Sequence, residues 1–130
     1  MLILILMSVV NVKVKYIRPL GYNNLYEWCH DTNNIYIGRK GVVFINNVRY
    51  PSDNSIFHNP FKIGKDGDRN EVLKKYKEYI LEKIEKEPTF KDLIKSLKGK
   101  NLGCWCHPLP CHGDILLEVL NTLKIEDDYS

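Results

Sequence analysis

A chain of 130 residues is the length of one domain, since folds of roughly 100–150 residues already bury about two-thirds of their unfolded surface. With 44% hydrophobic and 27% charged residues, the composition excludes disorder, which needs few apolar side chains and a charge excess. The net charge of +3, from 19 basic and 16 acidic side chains, excludes a chain that holds nucleic acid by bulk charge alone. The distribution is uneven: residues 1–70 carry nine basic and five acidic side chains, and residues 71–130 carry ten and eleven, so an anion-facing surface is expected in the first half. Ala and Gln are absent, while 15 Lys, 13 Ile and 12 Asn carry the bias of an AT-rich coding sequence, so richness in Lys and Asn has little functional weight.

Met1–Val10 is almost wholly apolar. A membrane span needs about 20 apolar residues, and Asn11, Lys13 and Lys15 come too early for one. A secretory signal needs a basic start and a small-residue cleavage site, and neither is present. The expectation is an intracellular chain with no membrane partner, folding as one domain over residues 7–125. Residues 1–6 are an apolar extension, Met7 is an alternative start, and residues 126–130 form a flexible tail.

In chain order, Val12, Val14 and Tyr16 alternate with Lys13, Lys15 and Ile17, the period of a half-buried strand. A turn-rich stretch, Arg18–Asn24, follows. Ile35–Ile37 and Val42–Ile45 read as strands, and Asn46-Asn47 before Val48–Tyr50 reads as a hairpin ended by Pro51. Residues 52–67 are rich in Asn, Pro and Gly; Phe57 and Phe61 predict that this loop is ordered. Asp68 with Glu71 predicts a capping box ahead of a helix whose Val72, Leu73, Tyr76, Ile80 and Ile84 share a face. Thr89 with Asp92 predicts a second cap, before Phe90, Leu93, Ile94 and Leu97, with Gly99 as the stop. Asn101–Cys106 reads as a short strand, and Leu116, Val119, Leu120 and Leu123 as a final amphipathic helix with Asp114 in its first turn. These elements predict an α/β or α+β fold: a small central sheet flanked by about three helices, with a Cys/His loop at a strand-to-helix junction.

The chemistry is densest in that loop, Cys104-Trp105-Cys106-His107-Pro108-Leu109-Pro110-Cys111-His112-Gly113-Asp114. Three cysteines within eight residues make a poor disulfide framework and suit metal binding or reactivity better. Residues two apart in a strand share a face, so Cys104 and Cys106 are expected to project together, with Trp105 on the other side. Pro108 and Pro110 stiffen the return to Cys111 and His112, and a helix N-terminus favours a thiolate or a bound phosphate there. Three readings stay open. Cys104, Cys106, Cys111 and His112, or His107 in its place, are a tetrahedral zinc set. Cys111 or Cys106 with a nearby His as base is a nucleophile. Cys104 as a buried core thiol leaves the rest as local loop chemistry. Cys29, between Trp28 and His30, stands apart as a core thiol or an occasional ligand.

The segments IYIGR, NPFKIGKDGDRNEVLKKYKEYI and NLGCWCHPLPCHGDILLEVLN resemble the family known as domain of unknown function 4326, over roughly Ile35–Asn121. The shared motifs are Gly38-Arg39, Asn59-Pro60-Phe61, Asp66–Glu71, Cys104-x-Cys106, Pro108, Cys111-His112 and Asp114. Two departures are an added segment, about Lys40–Ile56, and His58 where the family tends to have Gly. The resemblance implies which residues matter and no reaction. Of those residues, Arg39 follows a strand and carries a fork suited to phosphate or carboxylate. Asn59, extended by Pro60, either leaves its amide free to bind or stabilises a turn with its side chain. Lys62, Lys65 and Arg69 are candidates to extend a phosphate-facing patch, the alternative being an ordinary solvated face.

The reading taken forward is a cleft formed by Gly38, Arg39, Asn59, Phe61 and the Cys/His loop that binds a nucleotide-like, nucleic-acid or other phosphate-bearing ligand. Cys111, His112 and Asp114 are its candidates for group transfer or hydrolysis. The alternative is a non-enzymatic binding module stabilised by zinc.

Overall fold

Three short apolar runs far apart in the chain pair into one parallel sheet. The structure, a computed structural model, describes residues 8–129, with side chains described as far as Leu123; the Met1–Leu6 extension and the alternative start at Met7 lie outside the described residues. In chain order the elements are β1 (Ser8–Asn11), α1 (Val14–Ile17), a 3-10 turn (Arg18–Leu20), α2 (Leu25–His30), β2 (Asn34–Tyr36), β3 (Val43–Ile45), β4 (Val48–Tyr50), α3 (Arg69–Lys86), α4 (Pro88–Lys95), β5 (Asn101–Cys104) and α5 (His112–Tyr129). The sheet order is β1-β5-β2, all parallel, with Val9 and Ile35 flanking Leu102, and β3 and β4 form a separate antiparallel hairpin. The α/β expectation holds.

The alternation of side chains across the pleat gives each face of the sheet its own core. On one face Val9, Ile37, Leu102 and Cys104 pack with Tyr76 and Ile80 of α3, Ile94 of α4 and Leu116, Val119 and Leu120 of α5. On the other, Val12, Ile17, Leu25 and Trp28 gather with Val10, Tyr36 and Trp105, and with Val43 and Tyr50 of the hairpin. A parallel sheet covered on both faces is the expected solution for so short a set of strands.

Where local and tertiary signals agree, the elements fall where the sequence puts them. Asp68 accepts Glu71 N–H at 2.8 Å while Glu71 Oε1 accepts Asp68 N–H at 3.2 Å, so the capping box is complete. Asn46 and Asn47 take φ of 52° and 64°, the left-handed pair that a tight hairpin turn requires. The added segment Lys40–Ile56 contains this hairpin.

Four expectations are corrected. The first strand is Ser8–Asn11 and not Val12–Tyr16: Asn11 Oδ1 accepts Lys13 N–H at 3.0 Å and turns the chain into α1, which buries Ile17 and leaves Val14 and Tyr16 exposed. The turn-rich stretch leads into α2, capped by Asn24 through Glu27 N–H at 2.9 Å. Helix α4 starts at Pro88, whose fixed φ suits a first helical position, with Glu87 as a cap residue that makes no side-chain bond; Thr89 does not cap it. Strand β5 stops at Cys104, since Cys106 O accepts Leu109 N–H and closes a turn.

Candidate functional site

Because β1, β5 and β2 run parallel, their C-terminal ends share one edge of the sheet, where open α/β sheets place ligands. Asn11, Gly38-Arg39 and the Cys/His loop therefore meet there. Asn11 is a buried amide that donates Nδ2 to His107 O at 2.8 Å and Trp105 O at 3.3 Å, tying the end of β1 to the loop. Sequence reasoning missed this role; the available signal was a lone Asn closing an apolar strand. Trp105 donates its Nε1–H to the Tyr36 hydroxyl at 2.9 Å, and that hydroxyl donates to Arg39 O at 2.8 Å. This relay fixes the Trp105 ring against the segment that carries Arg39.

A cleft of about 460 Å³ opens at this edge. Its walls come from Gly38 and Arg39 after β2, from Asn59, Phe61 and Lys62 of the loop, from Arg69 and Val72 of α3, and from Trp105, Cys106, Cys111 and His112. Most of the expected site residues are thus gathered in one place. Arg39 Nη2 donates to Asn59 O at 2.8 Å and to Phe61 O at 3.1 Å, so its guanidinium also holds the loop. The loop is ordered as Phe57 and Phe61 predicted: Phe57 is buried, Tyr76 donates its hydroxyl to Phe57 O at 2.6 Å, and the Phe61 ring stands edge-on to Tyr79. Asn59 takes the turn-stabilising role: its Oδ1 accepts Phe61 N–H at 2.9 Å and spends that half of the amide on the loop's own turn. Gly38 leaves room for Tyr36, whose hydroxyl a Cβ would strike. Lys62 and Arg69 line the cleft; Lys65 does not.

The cleft is electropositive. Arg39, Lys62 and Arg69 face it with no Asp or Glu in its lining, and among the described residues none of the three pairs with a carboxylate. Arg69 Nη1 donates to Pro110 O at 2.9 Å, fastening α3 to the Cys/His loop. Val42, Phe61, Ile63, Val72, Leu73 and Trp105 supply the apolar wall.

The titratable groups divide between cleft and core. His112, the first residue of α5, holds Ile37 O at 2.6 Å with Nε2, which must donate because the carbonyl only accepts. Burial lowers its pKa, so the ring is neutral and Nδ1 is its acceptor. Cys104 and Cys111 are buried with sulfurs 3.3 Å apart, a reduced thiol pair. The S–H that Cys111 donates, together with the N–H groups of His107 and Cys106, lowers the Cys104 pKa; that bond and burial raise the pKa of Cys111. Cys106 lies past the strand end, packs at the edge of the same core and opens onto the cleft. Asp114 is exposed and uses Oδ2 to accept Cys111 N–H at 3.0 Å, so it supports the turn into α5 and stays outside the cleft lining. Cys29 sits in α2, half-buried against the second core.

Among the described residues no three His, Cys, Asp or Glu converge on one point. The Cys104–Cys111 pair lies inside the core, His112 donates Nε2–H to Ile37 O and keeps Nδ1 as an acceptor, and His107 is exposed. No helix among the described residues is long and apolar enough to cross a membrane.

A family profile described as "Domain of unknown function (DUF4326)" matches residues 22–122. A curated protein of enterobacteria phage T4, described as an uncharacterized 12.4 kDa protein in the nrdA-td intergenic region, is 33% identical over 102 residues, covering 75% of this chain and 93% of the relative. No solved structure matches the chain.

Proposed function

Since the chain belongs to the DUF4326 family, whose description carries no activity, we propose a function from the cleft itself: it binds a nucleotide-like, phosphate-bearing ligand. The observation that carries this reading is the concentration of Arg39, Lys62 and Arg69 on one apolar cleft without a carboxylate, at the C-terminal edge of a parallel sheet. The cations meet phosphate, and Phe61 and Trp105 offer faces to a base. Group transfer or hydrolysis there draws on His112, whose Nδ1 is an acceptor at neutral pH because Nε2–H is committed to Ile37 O. The four free thiols suit a reducing, intracellular compartment.

The test is a thermal-shift comparison of AMP, ATP and pyrophosphate on the wild type and on Lys62→Glu. The Lys62 side chain lines the cleft, and no hydrogen bond or ion pair of its Nζ is seen among the described residues, so its reversal changes the ligand's field and spares the fold. A ligand at a hundredfold its Kd stabilises by about 2.7 kcal/mol, a rise of a few degrees in Tm. The wild type should show that rise and Lys62→Glu should lose most of it. No stabilisation by any of the three, or equal stabilisation of both proteins, rejects the reading. One equivalent of zinc in the purified protein, with unfolding on chelation, establishes the zinc-stabilised module instead.

A further inference from the structure

A second cleft, of about 590 Å³, lies beside the first, and Trp105 lines both. The hairpin bridges them as well, since Val42 lines the first and Val43 and Phe44 line the second. The second cleft has the same chemistry as the first. Lys13, Lys15 and Arg18 line it with no Asp or Glu, and among the described residues none of the three pairs with a carboxylate. Its aromatic surfaces are Trp105 and Phe44, the latter 65% exposed with the Arg49 guanidinium 4.6 Å from its ring centroid. Each volume falls in the range of about 300–1,000 Å³ typical of small-ligand sites.

A mononucleotide site accounts for one cleft and leaves the other without a role. We propose that the two clefts form one track for single-stranded nucleic acid, with a nucleotide in the first cleft and its chain neighbour in the second, on the other side of Trp105. This rests on the phosphate-binding reading of the first cleft and names its ligand class. Six cations beside the exposed Phe44 and the half-buried Phe61 and Trp105 are the combination that sequence-tolerant single-strand binding uses: charge follows the backbone, and each base has a face to stack. All six lie within residues 13–69, the half of the chain with the basic excess. A duplex is excluded from such stacking because the faces of its bases are already stacked on neighbouring pairs.

The test is fluorescence anisotropy with labelled oligo(dT) and oligo(U) of about twelve nucleotides, within the site sizes known for single-strand binders, competed by dTMP and UMP and by a duplex of equal length. The variants are Lys13→Glu/Lys15→Glu in the second cleft, Phe44→Ala, and Lys62→Glu in the first. Lys13, Lys15 and Phe44 are exposed, so these variants keep the fold, checked by unchanged Tm. Oligonucleotide is expected to bind at least about tenfold more tightly than mononucleotide, with affinity falling steeply as salt rises. Lys13→Glu/Lys15→Glu should remove that gain and leave mononucleotide binding unchanged, Phe44→Ala should weaken the oligonucleotide by about fivefold or more, and Lys62→Glu should weaken both. Preference for one oligonucleotide decides between DNA and RNA. Mononucleotide binding with no gain from chain length, or a gain that survives Lys13→Glu/Lys15→Glu, overturns the track and leaves the first cleft's reading standing. Equal binding of the duplex overturns it as well. Failure of both mononucleotide and oligonucleotide removes the two readings together.

Discussion

At the scale of single residues, the positions that matter most are those where one atom decides whether two elements can touch. Gly103 lies in the central strand, and a Cβ there would sit 2.5 Å from Trp28 Cη2 and 2.8 Å from Val12 Cγ1. The missing side chain lets the almost fully buried Trp28 ring approach the strand closely. Gly103→Ala should therefore cost about 1–3 kcal/mol by overpacking, read as a lower urea midpoint at unchanged m-value; a midpoint within error of the wild type would show that the second core gives way easily. Trp105 and Asn11 hold the site in place by single hydrogen bonds to Tyr36 and to the loop carbonyls. Arg39 stood out in the sequence as a cation after a strand. Its bonds to the carbonyls of Asn59 and Phe61 were not legible, because they join residues about 20 positions apart through a loop with no periodicity to read.

At the scale of elements, legibility follows how local the signals are. Helix α3 has a cap, a stripe and a length that all agree, and it forms where the sequence puts it. Its cap also sets the position of Arg69 and Val72 on the cleft wall. Asp68→Ala should lower stability by about 1 kcal/mol, the usual cost of an N-cap, and should blunt ligand stabilisation by fraying the turn that carries Arg69; circular dichroism melts with and without nucleotide check both effects. Helix α1 shows the opposite case. Its four residues carry an alternating pattern suited to a strand, and the chain forms a helix there because Asn11 turns it and Ile17 has a core to enter. Helix α2 was hidden for a related reason: six residues are too few for a stripe, and only the Asn24 cap marked it.

At the scale of the whole molecule, acid stability gathers contributions from both ends of α2. Asp31 is held below its ordinary value of 3.8, first by the Tyr22 hydroxyl at 2.6 Å and then by Asn33 N–H. Glu27 is held below 4.5 by the backbone N–H and then the side-chain amide of Asn23. Both are more acidic folded than unfolded, so their stabilisation is complete above those ordinary values and is withdrawn as pH falls through the lower folded ones. Melting curves from about pH 6 to about pH 2 should show Tm falling across that window, and Asp31→Asn should flatten the fall; an identical slope in the variant would remove the Tyr22–Asp31 contribution. The sequence by itself determined the α/β class, the long capped helix, the hairpin turn and the clustering of chemistry at a strand-to-helix junction, because caps, periodicity and turn residues act over a few positions. Only the tertiary structure decided which residues of that junction line the cleft. Parallel pairing of β1, β5 and β2 put three distant strand ends on one edge, sent Cys104 and Cys111 into the core, left Asp114 outside the cleft lining, and set Arg39, Lys62 and Arg69 together. Strand order and burial are settled by packing between segments far apart in the chain, and no local pattern encodes them.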